Sequence, residues 1–256
     1  MRGLNGKRII VASGATGIGA ATAERLAQEG AQVLVGDINE AGLQSTVSRI
    51  RASGGKAEAF RFDLADASSI AALVQDCIDR FGGVDGLANI GADIETARGE
   101  LGQDLLGMDI AAWERTMRVN VIGHALTIRA ALPHLIRAGG GAIVGVSSAA
   151  AHGGFADGAA YACSKAALNA LARHVAKRWG KDNIRCNYIA PGWILSESAR
   201  RYLDQEKHDA AVAALPLTRL GEPADTAALL AFLLSEDAAW ITGQVVSING
   251  GAAFRD

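Results

Sequence analysis

Lys7-Arg8-Ile9-Ile10-Val11-Ala12-Ser13-Gly14-Ala15-Thr16-Gly17-Ile18-Gly19 is the stretch that decides the fold. Lys7–Ala12 is short, largely apolar and free of polar alternation, which predicts a strand buried on both faces. Glycines follow at once, and residues 18–29 carry a helical pattern. Strand, glycine-rich turn and helix together open a strand–helix–strand unit. In such a turn the glycines let backbone approach a phosphate, and the helix N-terminus favours its negative charge.

The same rhythm runs outward along the chain. Strands are predicted at Gln32–Gly36, Ala57–Phe62, Val84–Ala88, Ala142–Val146, Ile184–Ile189 and Gln244–Ile248. Helical patterns lie between them near 40–52, 67–81, 110–137, 158–180 and 223–235. Buried strands that alternate with helices predict an α/β fold, a doubly wound parallel sheet covered by helices on both faces. With four prolines and no low-complexity segment, residues 1–256 are expected to form a single domain. Two connections break the rhythm, Ala92–Asp109 and Pro191–Pro216, and long connections at strand ends are where function concentrates. The first carries Asp93, Glu95, Glu100, Asp104 and Asp109. Those carboxylates suit either a bound cation or, as the simpler reading, a solvated face.

Composition narrows the classes. The net charge is −2 with no basic block, so neither nucleic acid nor an anionic membrane is an expected partner. Cys77, Cys163 and Cys186 show no paired spacing, which fits reduced thiols and a cytoplasmic setting. No continuous apolar run approaches 18 residues, so no membrane span is expected, and the N-terminus does not read as a signal peptide. His124, His134, His152, His174 and His208 have no ligand spacing, so no metal is expected and structural roles are.

Asp37 follows Gly19 by 18 residues and ends the second predicted strand. A carboxylate there accepts hydrogen bonds from the ribose hydroxyls of an adenine dinucleotide and repels a 2′-phosphate. No lysine or arginine lies at 13–19 or 36–39 to offset that repulsion, so NAD is favoured over NADP. The competing reading of Asp37 is a helix N-cap. Asp63, with Leu64 after it, is a second candidate contact, to adenine, with a capping role near Asp66–Ser69 as its alternative.

Tyr161 and Lys165 stand four residues apart on a predicted helix, hence on one face, with Ser148 thirteen residues upstream. A tyrosine base near neutral pH needs its pKa lowered by roughly 2–3 units from about 10. An ammonium at ~4 Å in an effective dielectric near 20 supplies about 4 kcal/mol, enough for that shift. Ser147 is the alternative working hydroxyl to Ser148.

The order of glycine-rich turn, Asn120, Ser148, Tyr161-x-x-x-Lys165 and Pro191-Gly192 resembles the short-chain dehydrogenase/reductase family over nearly all 256 residues. The resemblance implies a Rossmann-type domain that passes a hydride between a nicotinamide and a carbinol carbon. It assigns Asn120, Ser148, Tyr161 and Lys165 to catalysis, with Tyr161 as general acid/base and Ser148 polarising the substrate oxygen. Lys165 would hold the nicotinamide ribose and depress the Tyr161 pKa, and Asn120 would support a water linking Lys165 to solvent. Ser13, Gly14, Thr16, Gly17, Ile18, Gly19, Asp37, Asp63, Leu64, Asn89, Tyr161, Lys165, Pro191, Gly192, Ile194 and Ser196 are the expected cofactor contacts. A homotetramer is implied as well. Two departures stand out. Ser13 occupies a position usually held by glycine; either Gly14 next door supplies the flexibility or the turn is slightly reshaped. The family's Asn-Asn-Ala-Gly reads Asn89-Ile90-Gly91-Ala92.

Ala149-Ala150-Ala151 leaves room beside Ser148, and Phe155, Trp193 and Tyr202 are candidates for an apolar substrate wall, along with Ala150 itself. A secondary alcohol or ketone of apolar character is the expected substrate. The alternatives are an NADP-dependent 3-oxoacyl thioester reductase and a catalytically idle NAD-binding protein.

Overall fold

The computed structural model describes residues 1–99, 104–153 and 156–254. Seven strands form one sheet: β1 (Arg8–Ala12), β2 (Gln32–Asp37), β3 (Lys56–Arg61), β4 (Gly86–Asn89), β5 (Gly141–Val146), β6 (Ile184–Pro191) and β7 (Val245–Ile248). Their order is β3-β2-β1-β4-β5-β6-β7 and every pairing is parallel. The expected fold class holds, and each expected strand falls within two residues of an observed one.

The main helices are α1 (Gly17–Gln28), α2 (Glu40–Ala52), α3 (Ala67–Phe81), α4 (Ile94–Gly99), α5 (Ile110–Met117) and α6 (His124–Arg137). They continue with α7 (Ala150–Gly153), α8 (Ala159–Trp179), α9 (Glu197–Arg200), α10 (Gln205–Ala213) and α11 (Pro223–Leu234). Strand alternation divides the core. Ile9 and Val11 of β1 face a layer with Leu26 of α1, Leu43 and Val47 of α2, and Leu230 of α11. Ile10 and Ala12 face the other layer, with Leu73 of α3, Ile128 and Leu132 of α6, and Leu168 of α8. Both sheet faces are therefore buried, which explains why the strands read as unbroken apolar runs.

The 110–137 pattern is one helical stretch with a π-helical segment, Arg118–Gly123, between α5 and α6. By length and a mean hydropathy of 1.2, Ile110–Arg137 would pass for a membrane-crossing helix, a feature that a search for continuous apolar runs missed. Ile128, Ala131, Leu132 and Leu135 of this stretch are instead buried in the core. The short helices α4, α7, α9 and α10 were not individually predicted; each lies in a connection whose residues lack a sustained period.

Between β1 and β4 the strand order reverses. A ligand crevice is expected outside the carboxyl ends of the strands at such a switch point.

Candidate active site

A cleft of about 570 Å³ opens at that place. Its walls come from the ends of six strands: Ser13 and Thr16–Gly19 after β1, Asp37 at the end of β2, and Asp63 and Leu64 after β3. Ile90–Glu95 after β4, Ser147 and Ser148 after β5, and Pro191, Gly192, Ile194 and Ser196 around the end of β6 complete it. Tyr161 and Lys165 enter from the first turns of α8.

The glycine-rich turn fits a pyrophosphate. A β-carbon at Gly19 would lie 1.8 Å from the Ser13 carbonyl oxygen, so only glycine lets α1 start this close to the turn. Thr16 makes no side-chain cap and the first turn of α1 holds no acid, which leaves its positive end for an anion. Ser13 takes the left-handed conformation itself, with φ of 75°, and Gly14 does not. The turn does not draw on Gly14 for its flexibility: Ser13 carries the strained conformation itself.

Asp37 is not a helix N-cap; Asn39 caps α2, accepting from the Gly42 N–H at 3.1 Å. One Asp37 carboxylate oxygen accepts from the Ala15 N–H and the other from the Asn39 N–H, both at 3.0 Å. The carboxylate thereby ties the end of β2 to the glycine-rich turn while lining the cleft. Asp63 accepts from the Ala65 N–H at 2.8 Å, and Asp66 is the cap of α3. Arg61 lies across from Asp37 in the sheet register and is ion-paired with Glu40 at 3.0 Å. The cationic side chains on the cleft wall among the described residues are Lys165 and Arg115, the latter bonded to Asp93 at 2.9 Å.

Ser148, Tyr161 and Lys165 share one wall. Ser148 and Tyr161 are joined through their side chains. Ser147 is buried and its hydroxyl donates to the Lys165 carbonyl at 3.0 Å, whereas Ser148 Oγ accepts from the Ala150 N–H at 3.1 Å and is the hydroxyl that meets Tyr161. Lys165 is 1% exposed, and its Nζ donates to the Val146 carbonyl at 2.8 Å. It lies 5.6 Å from the Tyr161 ring centre.

Burial dominates the electrostatics of this pair. Burial pulls the Lys165 ammonium down to about 7, and burial raises Tyr161 above its ordinary value despite the Ser148 hydrogen bond. In the cofactor-free protein, desolvation of Tyr161 outweighs the lowering by Ser148.

Asn120 is fully buried in the π-helical segment. Its Oδ1 accepts from the Asp93 N–H at 2.8 Å, and its Nδ2 donates to Ser164 Oγ at 3.1 Å. Ser164 in turn donates to the Tyr161 carbonyl at 2.7 Å. Asn120 thus braces the β4 loop against α8, with both ends of its side chain engaged away from Lys165.

Several expected contacts fall elsewhere. Gly14 and Asn89 are buried behind the cleft wall, and Asn89 Nδ2 donates to the His124 carbonyl at 3.2 Å. Ala150, Trp193 and Tyr202 do not line the cleft, and the last two are 59% and 57% exposed on the surface. Their polypeptide neighbours Ile194 and Ser196 do line it. Phe155 lies outside the described residues, as does Glu100. The remaining acids form no metal-binding group among the described residues: Asp93 is held by Arg115, Asp104 accepts from Leu106 and Gly107, and Asp109 caps α5. Sequence reasoning missed Ile90, Gly91, Asp93, Ile94 and Val119 on the wall. The closeness of residues 90–95 to the end of β4 was the signal that could have found most of them.

A family model described as enoyl-(acyl carrier protein) reductase matches residues 12–253. A probable short-chain type dehydrogenase/reductase of Bradyrhizobium diazoefficiens is 41% identical, over 96% of this chain and 87% of its own length. The 2,5-dichloro-2,5-cyclohexadiene-1,4-diol dehydrogenase LinX of Sphingobium indicum is 34% identical, over 97% and 96%. Among solved structures, a 7α-hydroxysteroid dehydrogenase complexed with NADH and 7-oxo glycochenodeoxycholic acid superposes with a TM-score of 0.91. It is 33% identical, with 97% of this chain and 94% of that one covered. Sheet order, cleft and these likenesses agree, and the chain belongs to the short-chain dehydrogenase/reductase family of nicotinamide-dependent oxidoreductases.

Proposed function

We propose that the protein is an NAD-dependent oxidoreductase, a single domain that interconverts a secondary alcohol and a ketone. The observation that carries this reading is the placing of Ser148, Tyr161 and Lys165 on one wall of the cleft whose other end holds Asp37. The turn Ser13–Gly19 and the start of α1 would hold the pyrophosphate, Asp37 the adenosine ribose, and Asp63 and Leu64 the adenine side. Pro191, Gly192, Ile194 and Ser196 would border the nicotinamide end. The bound nicotinamide supplies hydride transfer, which no side chain of the cleft can perform.

The chain's own residues handle the proton and the substrate oxygen. Ser148 donates a hydrogen bond to that oxygen and stabilises charge that develops there. Tyr161 delivers a proton to it in ketone reduction and removes one in alcohol oxidation. With its pKa raised, the Tyr161 phenol is protonated near neutral pH and stands ready as the donor. Lys165 is anchored to Val146, and Asn120 fixes the helix start that carries Tyr161.

Preference for NAD rests on charge. Asp37 faces the cleft, Arg115 is paired with Asp93, and Arg61 is held by Glu40. A 2′-phosphate would meet a carboxylate without an unengaged cation in reach. Fluorescence titration with NADH and NADPH tests this: tighter NADH binding is expected, and equal or tighter NADPH binding overturns it. The latter result would favour reduction of the 3-keto group of a 3-oxoacyl thioester, the activity named for a Thermotoga maritima relative that is 32% identical over 97% of this chain. Binding of neither would favour a catalytically idle protein. A small-molecule alcohol or ketone, a homotetramer and a cytoplasmic location complete the proposal.

A further inference from the structure

His124 is a fully buried side chain that the reaction above does not use. It opens α6 directly after the π-helical segment. Its Nε2 lies 2.7 Å from the Gly91 carbonyl oxygen, and its Nδ1 lies 3.4 Å from the Tyr188 hydroxyl. A carbonyl only accepts, so Nε2 carries the hydrogen and Nδ1 is left to accept from Tyr188. The Tyr188 ring is buried in β6 opposite Gly145, where a β-carbon would come within 2.1 Å of it. The tyrosine that directs the histidine is therefore seated by a glycine in the neighbouring strand.

Gly91 is a cleft residue, flanked by Ile90 and Ala92, which also line the cleft. We propose that His124 is a positioning residue for the cofactor: its Nε2–H holds the Gly91 carbonyl and so fixes the 90–92 wall of the cleft. This rests on reading the cleft as a dinucleotide site. Burial and the nearby Lys165 charge push the His124 pKa down to about 3, so the ring stays neutral and the donor permanent across working pH. Replacing it with an apolar side chain leaves a buried carbonyl unsatisfied and free to turn toward the cleft.

The test compares NADH binding by wild-type protein, His124→Leu and His124→Gln, with thermal midpoints for all three. Gln keeps an N–H donor at comparable reach. Loss of one buried hydrogen bond predicts NADH binding weakened about tenfold in His124→Leu, largely restored in His124→Gln. A lowered midpoint with unchanged binding in the Leu variant means a merely structural role and overturns the inference, while wild-type binding keeps the dinucleotide reading intact. Wild-type protein that binds no NADH overturns both. Should the Leu variant fail to fold, nitrogen-15 spectra of wild-type His124 decide. The Nε2–H tautomer with shifts that move on NADH addition supports the inference. The Nδ1–H tautomer, or signals indifferent to NADH, overturns it.

Discussion

Gly91 makes room for Ser13: a β-carbon at Gly91 would lie 2.3 Å from the Ser13 hydroxyl oxygen. Ser13 and Gly91, one from each departure from the family pattern, are thus linked where β1 and β4 end side by side, a side chain added at one and absent from the other. Gly91→Ala alone is expected to cost about 1–2 kcal/mol of stability and to weaken NADH binding, through overpacking. Ser13→Gly alone releases the left-handed strain, worth about 1 kcal/mol. In the double variant the Gly91→Ala penalty should shrink by about 1 kcal/mol. Denaturant melts of the four proteins give this coupling directly, and strict additivity would refute it.

Tyr161→Phe should reduce turnover by about 10²–10⁴-fold while NADH binding is retained, because it removes the proton carrier and little else. Ser148→Ala should lower kcat by about 10²-fold through loss of a donor to the reacting oxygen. Steady-state kinetics with a screened secondary alcohol check both. Because burial raises Tyr161, alcohol oxidation should speed up with rising pH more than ketone reduction does.

Lys165 makes the cofactor-free protein more stable as pH rises above neutral. Its folded pKa of about 7 lies below its ordinary 10.5, so from pH 7 upward the unfolded chain binds the extra proton. Stability then increases with pH in that window. Above about pH 9 the buried thiols Cys77 and Cys186, both pushed up to about 12, act in the opposite direction. Denaturant midpoints should therefore climb between pH 7 and 9 in the wild type and stay flatter in Lys165→Met.

Asp37→Asn should reduce the preference for NADH over NADPH by about tenfold, since one repulsive charge against a 2′-phosphate is removed. Adding Glu40→Gln frees Arg61 beside it in the sheet register and should move the preference further toward NADPH. Paired titrations with both dinucleotides measure this, and an unchanged ratio would remove Asp37 as the selector.

Much of the fold was legible because each strand is buried on both faces and reads as an apolar run, as in Ile9–Ala12 and Val33–Val35. The cleft was legible where backbone chemistry leaves a signature, at Gly17 and Gly19, and where spacing does, from Ser148 to Lys165. Trp193 and Tyr202 misled because aromatic character next to a site does not say which way a surface segment turns. The protonation of Tyr161 was illegible for another reason. Sequence supplies the partners but not the depth of burial, and desolvation outweighs the Ser148 hydrogen bond. His124 looked incidental because its two contacts, Gly91 and Tyr188, lie 33 and 64 residues away.

The hydrogen bonds between β5 and α8 run both ways at a single residue: Ser147 holds the Lys165 carbonyl, and Lys165 holds the Val146 carbonyl. Helix and strand are latched so that Lys165, and with it the turn that carries Tyr161, takes its position from the sheet. In the segment after β6, Ile194 and Ser196 face the cleft while Trp193 and Tyr202 lie outside it, so its outer side can be rewritten without touching the dinucleotide cleft. A lineage built on this latch can change what it recognises while keeping what it does.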